Sequence, residues 1–207
     1  MIDSTFLKED KELMDYLNDV KTPYIKKLIS NDDNWCLENI EIKDNPNKKF
    51  KNNFNTEWKK NYIGENNVNG IPRCVYVHNQ PNKAVSSLLP KKTDYNKYEK
   101  ELNKLLGKHF KRVIHRRDWW WYKPENWMAY HTNSEKETMW RVYFIWADED
   151  DMSYVNYYDR DNDKILTIWD KKGWNINYFK IGNRDNENPH CIWSDCNRVS
   201  MGFKVWT

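Results

Sequence analysis

The sequence predicts an α+β protein, with helices in the N-terminal part and, from Phe110 onward, an antiparallel two-sheet sandwich or jelly roll. Three observations predict it. Between residues 8 and 29 the apolar positions Leu13, Leu17, Val20, Tyr24, Ile25, Leu28 and Ile29 recur at three- and four-residue steps, the period of an amphipathic helix. From Phe110 to Val205 the period falls to two, in segments bounded by turn residues with no helical stretch between them. Short strands in that number would expose long edges in one open sheet, so they are expected to close into two packed sheets.

The first periodic segment reads as one or two helices interrupted near Pro23, because a proline inside a helix removes a hydrogen bond and clashes with the preceding turn. Residues 30–92 mix Asn- and Lys-rich loops with short apolar runs such as Cys74-Val75-Tyr76-Val77, and one or two strands are expected there. A clearer helix follows, with Thr93 or Asp94 as N-cap, an apolar stripe of Tyr95, Tyr98, Leu102, Leu105 and Leu106, and Gly107 as its stop. The strands then read as Phe110 to Tyr122, Trp127 to Thr132, Arg141 to Ala147, Ser153 to Tyr158, Lys164 to Trp169, Trp174 to Ile181, Cys191 to Trp193 and Arg198 to Val205. The runs 159–163 and 170–173 supply the turn chemistry between them. Residues 1–93 are therefore an N-terminal helical and irregular elaboration and residues 94–207 the β core, together one compact domain.

Composition narrows the function classes. Only 39% of the 207 residues are hydrophobic, but 12 Trp and 13 Tyr supply apolar area enough for a core. No run approaches the roughly 18 apolar residues of a membrane span. The opening MIDSTFLKED is too charged for a signal peptide, so a cytoplasmic protein is expected, in the host cytoplasm if the source is viral. An Asn- and Lys-rich, Gly- and Ala-poor chain fits an AT-rich genome such as that of a virus or a low-GC bacterium. A net charge of +3 drawn from 34 basic and 31 acidic residues is a balanced surface that names no partner. Cys36, Cys74, Cys191 and Cys196 are too irregularly spaced for a disulfide framework or a zinc site, and reduced thiols are expected.

The residues that point to chemistry lie between His131 and Ser200. His131 ends an aromatic strand and His190 immediately precedes another, each beside a polar turn, which places both at strand rims. Arg198 and Ser200 share one face of their strand by alternation. If that face is interior, Arg198 needs an anion, and its planar fork suits a carboxylate.

Taken in order, His131-Thr132-Asn133, His190 and Arg198-Val199-Ser200 resemble the iron(II)/2-oxoglutarate-dependent oxygenases, whose signature is H-x-D/E, a distant His, and an R-x-S or R-x-T pair. The resemblance runs over roughly residues 94–206 and includes Tyr122, nine residues before the first His. It implies a double-stranded β-helix of the jelly-roll or cupin-like kind. It also implies Fe(II) held by His131, Asn133 and His190, with 2-oxoglutarate held by Tyr122, Arg198 and Ser200. The implied reaction consumes O2 and 2-oxoglutarate and hydroxylates a further substrate.

The chain departs from the signature at Asn133, which stands where the family has a carboxylate. Three accounts stay open. Asn133 ligates through its amide oxygen or leaves room for water or halide; Glu135 or Glu137 completes the metal shell; or the barrel has kept its fold and lost the metal chemistry.

Trp119, Trp121, Trp127 and Arg141 are candidates for lining a substrate cleft, although alternating aromatic strands also build cores and Arg141 also suits a structural salt bridge. The basic stretch Lys108-His109-Phe110-Lys111-Arg112 with Arg116 and Arg117 adds nucleic acid to the candidate substrates, beside a plain solvated face. A catalytically silent jelly roll, serving in binding or in a virion, is the alternative class. A cupin-like metal protein that does not use 2-oxoglutarate is a third.

Overall fold

A computed structural model of the chain describes residues 4–30, 67–68, 71–72, 85–87, 100–124, 126–131, 139–159, 164–181 and 190–207. Three short helices open it: α1 (Thr5–Lys8), α2 (Lys11–Tyr16) and α3 (Thr22–Ile29), the last two joined by a π-helical turn over Leu17–Lys21. Asp10 caps α2 by accepting a 3.0 Å hydrogen bond from the Leu13 N–H. Pro23 opens α3 directly after the π-helical turn, which stands where the helix loses the Pro23 N–H. The interruption expected near Pro23 is therefore the π-helical turn just before it. Residues 100–106 form a fourth helix, α4, with Gly107 in the turn that ends it. Its expected N-cap and the expected strand at Cys74–Val77 lie outside the described residues.

Three short strands, β1 (Asn67–Val68), β2 (Ile71–Pro72) and β3 (Val85–Ser87), precede the main β region. That region comprises β4 (Arg112–Tyr122), β5 (Asn126–His131), β6 (Met139–Ala147), β7 (Ser153–Asp159), β8 (Lys164–Trp169), β9 (Gly173–Ile181), β10 (His190–Ser194) and β11 (Arg198–Trp206). They form a five-stranded sheet, ordered β3-β4-β11-β6-β9, and a four-stranded sheet, ordered β5-β10-β7-β8. Every pairing is antiparallel. From β4 to β11 each strand crosses to the other sheet except β8, which follows β7 as a hairpin. This winding is that of a jelly roll.

Alternation decides what each face of the five-stranded sheet does. Val142, Phe144 and Trp146 of β6, Val199, Met201, Phe203 and Val205 of β11, and Trp119 and Trp121 of β4 join one apolar cluster with Leu7, Leu13, Leu17 and Ile25 of the opening helices and Leu102, Leu105 and Leu106 of α4. The helices thus cover the outer face. The opposite positions, Arg141 and Tyr143 of β6, Phe179 of β9, and Arg198 and Ser200 of β11, look toward the four-stranded sheet. Two contacts across the gap establish this direction: Arg198 with Asp170, and the Phe179 ring with His190.

The indoles of Trp119 and Trp121 are 1% and 3% exposed within the outer-face cluster. This corrects the reading of them as cleft-lining residues: the strand's parity gives them to the helices. The Lys21 ammonium lies over the Trp119 ring, 4.7 Å from its centroid, and Trp121 Nε1 donates to Asn197 Oδ1. Much of the basic stretch is also engaged internally. Lys108 pairs with Glu12, His109 Nε2 lies 2.6 Å from Asp10 Oδ2, and Arg112 stacks over Trp206. No helix among the described residues is long and apolar enough to cross a membrane.

Candidate metal and co-substrate site

His131 is the last residue of β5 and His190 the first of β10, and in the antiparallel pairing of these strands they are register partners. Directly opposed residues have Cα atoms about 4.5–5.5 Å apart and share one face of the sheet. His190 is paired on its other side with Tyr157 of β7 and is 6% exposed. Its ring meets Phe179 edge to face, with centroids 5.7 Å apart. Thr132, Asn133, Glu135 and Glu137 lie outside the described residues. Among the described residues no three His, Cys, Asp or Glu side chains converge to hold a metal. The third ligand is therefore unassigned.

A polar chain continues from Phe179 along the inner face. The Tyr143 ring stacks on Phe179 with a 9° interplanar angle, and Tyr143 Oη accepts a 2.8 Å hydrogen bond from Arg141 Nη1. Gly202, the register partner of Tyr143, makes room for this ring: a Cβ there would stand 2.9 Å from Tyr143 Cε1. Arg141 is buried at this end of the sandwich, opposite Phe179 and Lys204 in register. It is thus an inner-face residue near His190, whereas Trp127 is placed by the pairing opposite Trp193.

Arg198 lies toward the other end of β10. Ser194, the last residue of β10, pairs with Ser153 of β7, and the Ser153 hydroxyl donates to Asp170 Oδ2 at 2.7 Å. The same oxygen accepts from Arg198 Nε at 2.8 Å, and both members of this ion pair are 1% exposed. The backbone N–H of Asp195, one residue beyond β10, donates to Met152 O. Tyr122 is the register partner of Arg198, with the guanidinium carbon 5.2 Å from its ring centroid. Burial drives the Tyr122 hydroxyl well above its ordinary pKa and Arg198 only partly opposes this, so it stays protonated and able to donate. Ser200 is buried two residues along the same face.

His190 and Arg198 thus face one interior, and His190 stands four steps along β10 from Ser194, about 13 Å at 3.3 Å per residue. The arginine has spare capacity, because its Nη1 is buried without a hydrogen-bond partner.

Asp170, Ser153, Tyr143 and Phe179 were missed in the sequence. Asp170 carried a signal of the wrong kind, as the first residue of a turn.

No protein-family model and no curated protein sequence matches the chain. Among solved structures it is similar to a recombinant oxalate oxidase in complex with glycolate, at 10% identity and a TM-score of 0.33, over 45% of this chain and 42% of that one. It is also similar to the cupin domain of Drosophila melanogaster CENP-C, at 10% identity and 0.28, over 42% and 54%. A predicted oxalate decarboxylase from Thermotoga maritima aligns at 13% identity and 0.28, over 59% and 78%. The chain spans about two fifths of the oxalate oxidase and about half of the CENP-C domain.

Proposed function

We propose that this jelly roll is a non-haem iron(II)/2-oxoglutarate-dependent dioxygenase that hydroxylates a further substrate. The observation that carries the reading is the register pairing of His131 with His190 on adjacent strands, with Arg198 buried in the same interior. Two neutral imidazoles suit iron(II) and leave positions for an oxo acid and O2. Phe179 packs on the His190 ring and limits its rotation. Arg198 Nη1, Ser200 and the protonated Tyr122 hydroxyl are the groups for the distal carboxylate. With iron and 2-oxoglutarate bound, the site supplies C–H hydroxylation coupled to decarboxylation of the oxo acid, with succinate and carbon dioxide released. The test is iron-dependent conversion of 2-oxoglutarate to succinate by the purified protein. Conversion lost in His190→Ala is the expected result, and conversion unchanged by that substitution would contradict the reading.

A second reading, a catalytically silent jelly roll serving in binding or structure, is favoured by one observation: the guanidinium of Arg198 already faces a carboxylate, that of Asp170. In that reading the buried arginine completes an internal ion pair and needs no ligand. The same conversion assay separates the two.

A further inference from the structure

The Arg198–Asp170 pair is only half made. A guanidinium and a carboxylate can meet through two parallel hydrogen bonds, and a buried pair serving packing alone gains most by closing both. Here Nε bonds to Oδ2, which also accepts from Ser153, while Arg198 Nη1 and Asp170 Oδ1 are both buried without partners. Asp170 Oδ1 lacks the second bond of the fork, and the unpartnered Nη1 lies on the guanidinium edge away from the Nε bond. That edge leaves the arginine open to a second anion.

We infer that Asp170 is an internal competitor for Arg198, holding the guanidinium until a carboxylate ligand takes it and thereby setting the affinity and selectivity of the site for acid co-substrates. The inference rests on the proposed function and deepens it by naming the residue that tunes co-substrate binding. Asp170, which follows β8, is anchored to the start of β7 and the turn before it, since its N–H donates to Ser153 O at 2.9 Å and its carbonyl accepts from Asp151 N–H. Those backbone bonds do not depend on the side chain. The carboxylate can yield Arg198 to a ligand while Ser153 continues to hold it. Monoanions too short to reach from the histidine pair gain little at Arg198, whereas a diacid reaching across the interior gains the full exchange.

The test is calorimetric titration of 2-oxoglutarate into the anaerobic, iron(II)-loaded full-length protein. Asp170→Asn removes the charge and keeps an acceptor for Ser153, and it is expected to bind at least tenfold more tightly than the wild type. Ser153→Ala leaves the ion pair in place but removes the hydroxyl that holds the Asp170 carboxylate once it yields Arg198, and it is expected to weaken binding severalfold even if Asp170→Asn fails to fold. Adding Arg198→Met should abolish both the gain in Asp170→Asn and the loss in Ser153→Ala, a dependence that a purely structural Asp170 would not show. Normal wild-type binding with neither tightening in Asp170→Asn nor weakening in Ser153→Ala overturns the inference and leaves the proposed function standing. Binding by Asp170→Asn alone, with none by the wild type, supports the inference. No binding by any folded variant overturns both.

Discussion

Arg198 Nε and Asp170 Oδ2 lie 2.8 Å apart between the two sheets, joining the start of β11 in one to the residue that follows β8 in the other. Breaking one partner of a buried pair strands the other charge. Arg198→Ala or Asp170→Ala should each cost about 3–5 kcal/mol, read from urea unfolding midpoints, whereas an Arg198→Met, Asp170→Leu double variant should recover most of that loss. Single losses under about 1 kcal/mol would mean that water already screens the pair.

The ring of Tyr143 occupies the space over Gly202 and is pinned by its stack on Phe179 and the hydrogen bond from Arg141. Gly202→Ala brings a methyl group to 2.9 Å from that ring. The ring has little freedom to give way, so thermal unfolding should show a destabilisation of about 1–3 kcal/mol. Gly202→Ala combined with Tyr143→Ala should recover part of it.

Trp119 is committed to the core beneath α3, with Tyr24 meeting its ring edge to face at 5.9 Å. Trp119→Ala should therefore cost about 3–5 kcal/mol in chemical denaturation. Because the ring faces the helices, binding of any interior ligand should be unchanged once the variant is folded.

The eight strands from β4 to β11 were legible because one face of each is apolar and the alternation is regular; their ends lie within two residues of the expected ones. The positions of His131, His190 and Arg198 at strand ends were legible for the same reason. The partner of Arg198 was not, since Asp170 is 28 residues away in sequence and reads locally as turn chemistry. Nor did alternation alone say which face of β4 would meet the helices, and Trp119 and Trp121 were assigned the wrong surroundings on that account. The π-helical turn at Leu17–Lys21 escaped notice because one extra residue in a turn barely disturbs a helical period.

Asp10 ties α2 to the end of α4. Burial raises its pKa, but hydrogen bonds from His109 and the Leu13 N–H outweigh this and hold it below the ordinary value of 3.8. A depressed folded value means that the carboxylate's stabilisation is fully present above the unfolded pKa and is lost as pH falls through the folded one. Asp10→Ala should cost about 0.5–2 kcal/mol at neutral pH as a lost N-cap. The difference from wild type should shrink below pH 3.8, as followed by helical circular dichroism across an acid titration.

The proposed function requires that His131 and His190, paired across β5 and β10, assemble an iron site that accepts 2-oxoglutarate. Its most direct test is anaerobic titration of the purified protein with iron(II) and 2-oxoglutarate, following the metal-to-ligand charge-transfer absorption of a chelated 2-oxo acid. The account predicts a saturable band that disappears in His131→Ala and in His190→Ala, and that requires higher 2-oxoglutarate in Arg198→Ala. No band in the folded wild-type protein, with no iron retained, would contradict it.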